Sequence, residues 1–300
     1  MSAVTESVTQ RMTLEQLAAD NGFDLVPNYA GDVTITALVD DVESVIPGSL
    51  FIAQHPISRA DINEIVNNGA YAMLLPESMK TELMAHGASQ LQIPVLFANI
   101  TTKQLAALAS QLAGAPSDSV AVFALTGPNQ ELLADEAKEV ARFLHMLGNP
   151  VGIINAEDSQ SLERFIELNY PIDVLSMQRA MAVCAEDGAA AVIVTMDDAT
   201  LDVDAMASVA VDVLACDGVP EPTRARDYMD QMAQRYGCAI TKDTRLVMRT
   251  EESDTMALQA GVGPAQVRAL SFAIAMGLAV GVRKSSIRSA LRVAGEFHEQ

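Results

Sequence analysis

Tryptophan is absent from the 300 residues, and Phe, Tyr and Trp together make up only 4% of them. Any core must therefore be filled by Ala, Val, Leu and Met, in which the chain is rich; half of its residues are apolar, a globular composition. Cysteine is scarce. Cys184, Cys216 and Cys238 are odd in number and widely spaced, each within a mainly apolar stretch. That pattern fits buried, reduced thiols in a cytoplasmic protein better than a disulfide framework. Basic side chains are few, 19 against 39 acidic ones, and the formal charge of −20 repels nucleic acid and anionic membrane surfaces at long range. No nucleic-acid partner is expected. The four histidines, His55, His86, His145 and His298, lie far apart with no second ligand at metal spacing, so no metal is expected either. Long hydrophobic runs are also missing. The longest, Ala269 to Val282, falls short of the roughly 18 to 20 residues needed to cross a bilayer. The N-terminal "MSAVTESVTQRMTLEQL" lacks the basic start and apolar core of a signal peptide. A cytoplasmic protein without membrane insertion is the expectation.

What is present is an alternation of strand-like and helix-like patterns, over a length that suits two domains. "TITALVD", "SLFIAQ", "YAMLLPE" and "PVLFANI" have the character of strands, and "RADINEIVNNGA" and "KTELMAHGASQL" that of helices. A helix over "TTKQLAALASQLAGA" is followed by the turn-forming "GAPSDS", which places a boundary near Ala115 between residues 1–115 and 116–300. The second segment starts with a buried-strand pattern, "VAVFALT", turns at "GPNQ", and enters a helix. Leu132, Leu133, Ala137, Val140, Ala141, Leu144 and Leu147 form its apolar face, and Gly148 stops it. Strands are expected at "PVGIINA", "AAAVIVTM", "VDVLAC", "CAIT" and "RLVM". Helices are expected at "DVLSMQRAMAVCAEDG", "TRARDYMDQMAQRYG", Pro264 to Gly281 and Lys284 to Ala294. The fold class is α/β: a small α/β domain, then a mostly parallel sheet covered on both faces.

In such a sheet the first strand-to-helix turn is the favoured phosphate site, and "TGPNQELL" occupies it. A working phosphate loop needs glycines that let backbone amides surround the phosphates, a lysine on the terminal oxygens and a hydroxyl on magnesium. Only Thr126 and Gly127 answer to that pattern. Asn129 leads into Gln130, which replaces the preceding glycine, Glu131 stands at the lysine position, and Leu132 stands where the hydroxyl belongs. A lysine about 4 Å from a phosphate charge is worth roughly 4 kcal/mol at an effective dielectric of about 20, and a glutamate reverses its sign. Glu131, Asp135 and Glu136 do suit the first turn of an ordinary helix, where carboxylates complement the dipole.

From about Val33 onward, the order and spacing of these stretches resemble the Mur ligases, which add amino acids to UDP-N-acetylmuramoyl peptides; the similarity is strongest to the tripeptide synthetase. "LVDDVESVIPGSLFIAQ" resembles the family's N-terminal aspartate, serine and arginine followed by "pGdlFvA", and "INEIVNNGAYAMLLPE" continues the match. "ALTGPNQEL" lies on the family's "VTGTNGKTT", "FLHMLGNPVGIINA" on the strand after it, and "LSMQRAMAVCAEDGAAAVIVTMDD" on the helix and strand leading to its "mEvSS". The resemblance implies a UDP-binding-like first domain and a P-loop central domain. It also implies where chemistry has gone. The family's magnesium-binding glutamate falls on Thr195 and its two serines on Asp197 and Asp198. The carbamylated lysine that holds a second metal falls on Met232, counted from Tyr228. The uridine-site residues fall on Asp40, Asp41 and Val42. "DGVPEPTRARDY" supplies neither the histidines nor the spacing of the family's "DHLDyH", and the family's further ligase domain is expected to be absent.

Two other constellations stand out. Asp197, Asp198, Asp202 and Asp204 in "TMDDATLDVD" could in principle bind a divalent cation, though without the glycine and terminal glutamate of a calcium loop a solvated acidic turn is the expectation. Arg283, Lys284, Arg288 and Arg292 form the one basic patch, for which intramolecular pairing is expected. The functional expectation is a pseudoenzyme without cofactor or metal, a scaffold or regulator meeting a protein partner of the cell-wall or division machinery. The alternatives are an ATP-dependent amide ligase whose site a partner completes, and a sensor retaining residual UDP-muramoyl peptide binding.

Overall fold

The computed structural model describes residues 11–85 and 92–298, with side chains described throughout except at 264–265 and 293–298. Residues 1–10, His86 and the end of the helix expected over 80–91 lie outside the described residues. The chain divides into two compact units, Met1–Gly114 and Ala115–Gln300.

The first unit runs β1 (Met12–Thr13), α1 (Leu14–Asn21), β2 (Asp24–Val26), β3 (Thr34–Ile35), β4 (Ala37–Val39), β5 (Ser49–Ile52), α2 (Arg59–Asn67), β6 (Ala72–Leu75), α3 (Lys80–Ala85), β7 (Val95–Phe97) and α4 (Thr102–Leu112). Its main sheet has the order β2-β7-β6-β5-β4, parallel except for the β2–β7 pair. The single strand expected over "TITALVD" is two. Thr36 gives its amide to Gly48 O at 2.9 Å, so β3 pairs with β1 while β4 joins the main sheet. Helices start where the chain supplies oxygen acceptors: Thr13, Ser58 and Thr101 each cap with reciprocal bonds from the third helical residue. Phe51, Met73, Leu75, Val95 and Phe97 point to one face of the sheet and pack with Ile62, Ile65 and Leu83.

The second unit runs β8 (Ala121–Thr126), α5 (Gln130–Met146), β9 (Val151–Ile154), β10 (Gln160–Ser161), β11 (Arg164–Phe165), α6 (Val174–Glu186), β12 (Ala191–Thr195), β13 (Val213–Cys216), α7 (Pro222–Tyr236), β14 (Arg245–Val247), α8 (Glu251–Gln259), α9 (Pro264–Ala279) and α10 (Lys284–His298). Its sheet has the order β11-β10-β9-β12-β8-β13-β14, with a parallel core from β9 to β14 and an antiparallel edge at β10 and β11. Period-two alternation divides each central strand between two cores. Val122, Ala124, Val192, Val194 and Leu214 pack with Met177 and Met181 of α6 and with Met229, Ala233 and Tyr236 of α7. Phe123, Leu125, Ile193, Val213 and Ala215 pack with Leu133, Ala137 and Val140 of α5 and with Leu270, Phe272 and Met276 of α9. The apolar run of α9 is thus core, and no helix among the described residues is long and apolar enough to cross a membrane.

"CAIT" is not a strand. Ala239 makes one isolated bridge to Ala210, and the Thr241 amide bonds to Thr244 Oγ1 at 3.0 Å, so the backbone turns instead of pairing. Helix α8 was not apparent from periodicity because only Ser253, Met256 and Ala257 are buried along it.

Candidate functional site: the crevice between two strand ends

Parallel strands leave their ligand crevice at their carboxyl ends, where successive connections diverge to opposite faces. Here α5 leaves β8 for one face while α7 leaves β13 for the other, and Cys216 stands in register beside Thr126. The crevice therefore lies between Thr126–Gly127 and Cys216–Asp217. The two strand ends stay paired up to this point. Asp217 N donates to Thr126 O at 3.1 Å, and the Tyr228 hydroxyl, from α7, donates to Gly127 O at 3.0 Å. A Cβ on Gly127 would lie 2.6 Å from Asp217 O, so glycine is required by the approach of one backbone to the other. The Thr126 hydroxyl is fully buried and turned inward to Met196 O at 3.4 Å.

Beyond this point Pro128, Asn129, Gln130 and Glu131 are exposed, and Leu132 is half-buried. Asn129 precedes α5 without a side-chain capping bond, and its carbonyl accepts from Leu132 N at 3.3 Å. Glu131 does lie in the first turn. Glu136 does not: it is the seventh helical residue, it lies on the stripe of Leu133, Ala137 and Val140, and it is 4% exposed. Its expected role at the helix dipole is corrected to that of a buried acid.

Around Glu136 an ionic network fills the space behind the loop. Arg268 Nε, from α9, lies 2.5 Å from Asp217 Oδ2 and 3.7 Å from Glu136 Oε1. Arg249 reaches Asp254 at 2.8 Å and Asp217 at 3.9 Å. Asp254 in turn accepts from the Ser271 hydroxyl at 2.5 Å, and Ser271 is bonded to Ser253 at 2.9 Å. Burial first, then the charge and hydrogen bond of Asp217, push the Glu136 carboxyl up to about 8, against the opposing pull of Arg268 and Arg249. Near pH 7 Glu136 thus holds its proton, and two arginines balance Asp217 and Asp254. Arg268 is the cation that approaches the loop: its Nη2 lies 3.3 Å from where Gly218 would carry a Cβ, on which Pro128 also packs. Its charge is already spent on Asp217.

The residues present do not fit a nucleotide triphosphate with magnesium. The lysine position carries an exposed carboxylate, the nearest guanidinium is neutralised, and the hydroxyl position is a leucine. The other expected positions have structural duties. Thr195 Oγ1 shares a buried 2.9 Å hydrogen bond with Thr200 Oγ1, which also donates to Asp197. Met232 is half-buried against the core beneath α7. Among the described residues no group of three or more His, Cys, Asp or Glu is placed to hold a metal.

The acidic turn is not simply solvated. Asp197 is 6% exposed and accepts from the amides of Ala199 and Thr200, at 3.0 and 2.9 Å. Asp198 accepts from the Tyr236 hydroxyl at 2.7 Å and pairs with Arg235 at 2.7 Å; the tyrosine bond first, then the arginine, hold its carboxyl below the usual range. Asp202 is exposed, and Asp204, at φ 60°, packs its backbone on Gly237. In the basic patch Lys284 pairs with Glu252 at 2.5 Å, while Arg283, Arg288 and Arg292 are exposed without an ion pair among the described residues. Intramolecular pairing therefore accounts for one of the four.

In the first unit, Asp40, Asp41 and Val42 follow the carboxyl end of β4. Asp41 accepts from the Ser44 hydroxyl at 3.0 Å, and Val42 O accepts from Asn68 Nδ2 at 3.0 Å. The three cysteines are free and buried, and burial raises their thiols, Cys184 to about 12 and Cys216 and Cys238 to about 11.

Asp217, Arg249, Asp254 and Arg268 are not apparent from the sequence, where Tyr228 serves only as the position from which Met232 is counted. Glu136 carried a local signal, a charge on an apolar stripe, and Asp217 another, an acid directly after a buried strand. Arg268, 51 positions from its partner, carried none.

No family model matches the chain. It is 26% identical over 222 residues to UDP-N-acetylmuramoyl-L-alanyl-D-glutamate--2,6-diaminopimelate ligase of Pseudomonas aeruginosa, covering 73% of this chain and 43% of that protein. To the protein of the same name from Xanthomonas campestris pv. campestris it is 28% identical over 242 residues, covering 78% and 45%. The chain thus spans less than half the length of the curated relatives it matches. Among solved structures it is similar to MurF from Acinetobacter baumannii, with a TM-score of 0.54 at 14% identity over 94% of this chain and 67% of that one. A UDP-N-acetylmuramoyl-L-alanyl-D-glutamate--2,6-diaminopimelate ligase gives a TM-score of 0.50 at 11% identity, over 80% and 52%. In sequence and in fold the chain resembles the Mur ligases.

Proposed function

We propose that this chain keeps a Mur-ligase fold without ATP-dependent ligation and acts through protein contacts, as a scaffold or regulator of peptidoglycan synthesis or cell division in the cytoplasm. One observation carries the reading. At the crevice where a nucleotide would have to bind, Glu131 presents a carboxylate and Arg268 is held at 2.5 Å by Asp217. Acyl-phosphate chemistry needs cations that neutralise phosphate oxygens as charge shifts between them. Freeing Arg268 for that task would strip Asp217, 8% exposed, of its hydrogen-bonded cation and leave only Arg249 at 3.9 Å, a cost of roughly 1.5 to 3 kcal/mol. Thr195 and Met232 supply no replacement, since one is bonded within the fold and the other packs in it.

The partner is a protein of the cell-wall or division machinery under this reading, and no cofactor is required. The test is calorimetric titration of the whole chain with Mg-ATP, alongside affinity capture from the native cell. Binding at micromolar concentration would refute the reading, as would capture that returns no protein of wall synthesis or division.

The second reading, an ATP-dependent amide ligase completed by another subunit, is favoured by the curated relatives, whose names are those of ligases. It requires phosphate release that appears only when a UDP-muramoyl peptide and a captured partner are both present. The first reading requires that it never appears.

A further inference from the structure

A cavity of about 510 Å³ opens in the second unit, away from the crevice, between residues 156–159 after β9 and residues 165–170, which run from β11 toward α6. Its size is that of a small-molecule site. Its walls are fixed from within. Ser159 Oγ accepts from Asn155 N at 3.0 Å, donates to Asn155 O at 3.1 Å and meets the Tyr170 hydroxyl at 2.5 Å; Ile166 N donates to Ser159 O at 2.8 Å. Asn155 Oδ1 accepts from the amides of Glu157 and Asp158, each at 2.8 Å. The same side chain is 1% exposed, and among the described residues its Nδ2 has no hydrogen-bond partner.

The lining has one sign of charge. Glu157, Asp158 and Glu167 contribute carboxylates and no lysine, arginine or histidine takes part. Lys138 offsets Glu157 at 3.3 Å, while among the described residues the Asp158 carboxylate takes the uncharged Gln160 amide at 2.7 Å and neither Asp158 nor Glu167 has an ion pair. Beside these acids stands an aromatic side chain that burial does not explain: Phe165 is 73% exposed, next to Ile166 and Leu168.

We propose that this cavity binds an organic cation, an ammonium or guanidinium group on an aliphatic stem, with the charged head between Asp158 and Glu167 and the stem against Phe165. Uncompensated carboxylates attract the head, and the exposed ring adds a cation–π contact while covering the stem. Anionic ligands, nucleoside diphosphates among them, are repelled by the same groups. The proposal does not depend on the reading of the crevice, because no residue is shared between the two places.

Agmatine, with cadaverine as a second cation, is the probe, titrated into the whole chain by calorimetry; glutarate and pentanol are the anionic and neutral controls. The expected result is saturable one-to-one binding of agmatine, weakened about fivefold by Asp158→Asn, Glu167→Gln or Phe165→Ala. Asp230→Asn, an exposed change of equal charge on α7, should leave it unaltered, which separates a site from attraction to an acidic protein. No saturable binding up to about 10 mM would overturn the proposal. So would binding that the cavity variants leave unchanged, an equal loss in Asp230→Asn, or comparable binding of glutarate.

Discussion

Replacing Glu136 by Gln should stabilise the protein, and increasingly so as pH rises. In the unfolded chain this carboxyl ionises near 4.5, whereas in the fold it keeps its proton up to about 8, because it is buried beside Asp217. Below pH 4.5 both states carry the proton and no penalty exists. Between about 4.5 and 8 folding must take up a proton, so stability falls by about 1.4 kcal/mol per pH unit, and above 8 the loss is complete. The integrated penalty at pH 7 is on the order of 3 kcal/mol. Gln cannot ionise, and its amide N–H can replace the acid O–H as donor to Asp217. Urea unfolding of parent and variant at pH 5, 6, 7 and 8 isolates the effect, because the difference cancels every other group's titration. The variant should gain on the parent at each step. A difference that stays flat, or that shrinks with pH, would show that Glu136 is ionised in the fold and that the network behind the loop is wrongly charged.

Arg268→Ala removes the hydrogen-bonded cation of Asp217 and should cost roughly 1.5 to 3 kcal/mol in urea unfolding. In Arg268→Ala/Asp217→Asn most of that loss should be recovered; additive losses would mean the pair is not coupled. Gly127→Ala forces the Asp217 carbonyl away from a position 2.6 Å from the new Cβ, and should destabilise by about 1 to 3 kcal/mol; a neutral outcome would mean the two strand ends are not in contact. Glu131→Lys alone should give no phosphate release from Mg-ATP, since Thr195 and Met232 still offer no metal ligand. Thiol titration at pH 8 should find Cys184, Cys216 and Cys238 unreactive until the protein is unfolded, and fast labelling of the native protein would contradict their burial.

The central strands were legible because each is a short, continuous apolar run bounded by turn residues, as buried parallel strands must be: β8, β9, β12 and β13 all stand where their runs predict. Helix α5 was legible through its stripe and through Gly148, at φ 85° just past its end. Elements without a period were not. The two-residue strands β10 and β11 are shorter than one alternation, and α8 exposes most of its acidic length. Of the crevice, the loop could be read from Thr126, Gly127 and Glu131 because strand, turn and helix are contiguous. What fills the space behind it could not, because Asp217, Arg249 and Arg268 converge from β13, the start of α8 and α9 through tertiary packing alone. Asp197 illustrates the same limit. An acid after a strand is equally compatible with a metal ligand, a solvated turn and a buried cap, and only the amides of Ala199 and Thr200 decide among them.

Calorimetric titration of the whole chain with Mg-ATP tests most directly whether the crevice has lost its nucleotide site. With Glu131 facing solvent and Arg268 engaged by Asp217, no heat of binding should be seen up to about 1 mM, a dissociation constant equivalent to about −4 kcal/mol. One-to-one binding in the micromolar range, lost when Gly127 is replaced, would show that this strand, turn and helix still hold a nucleotide.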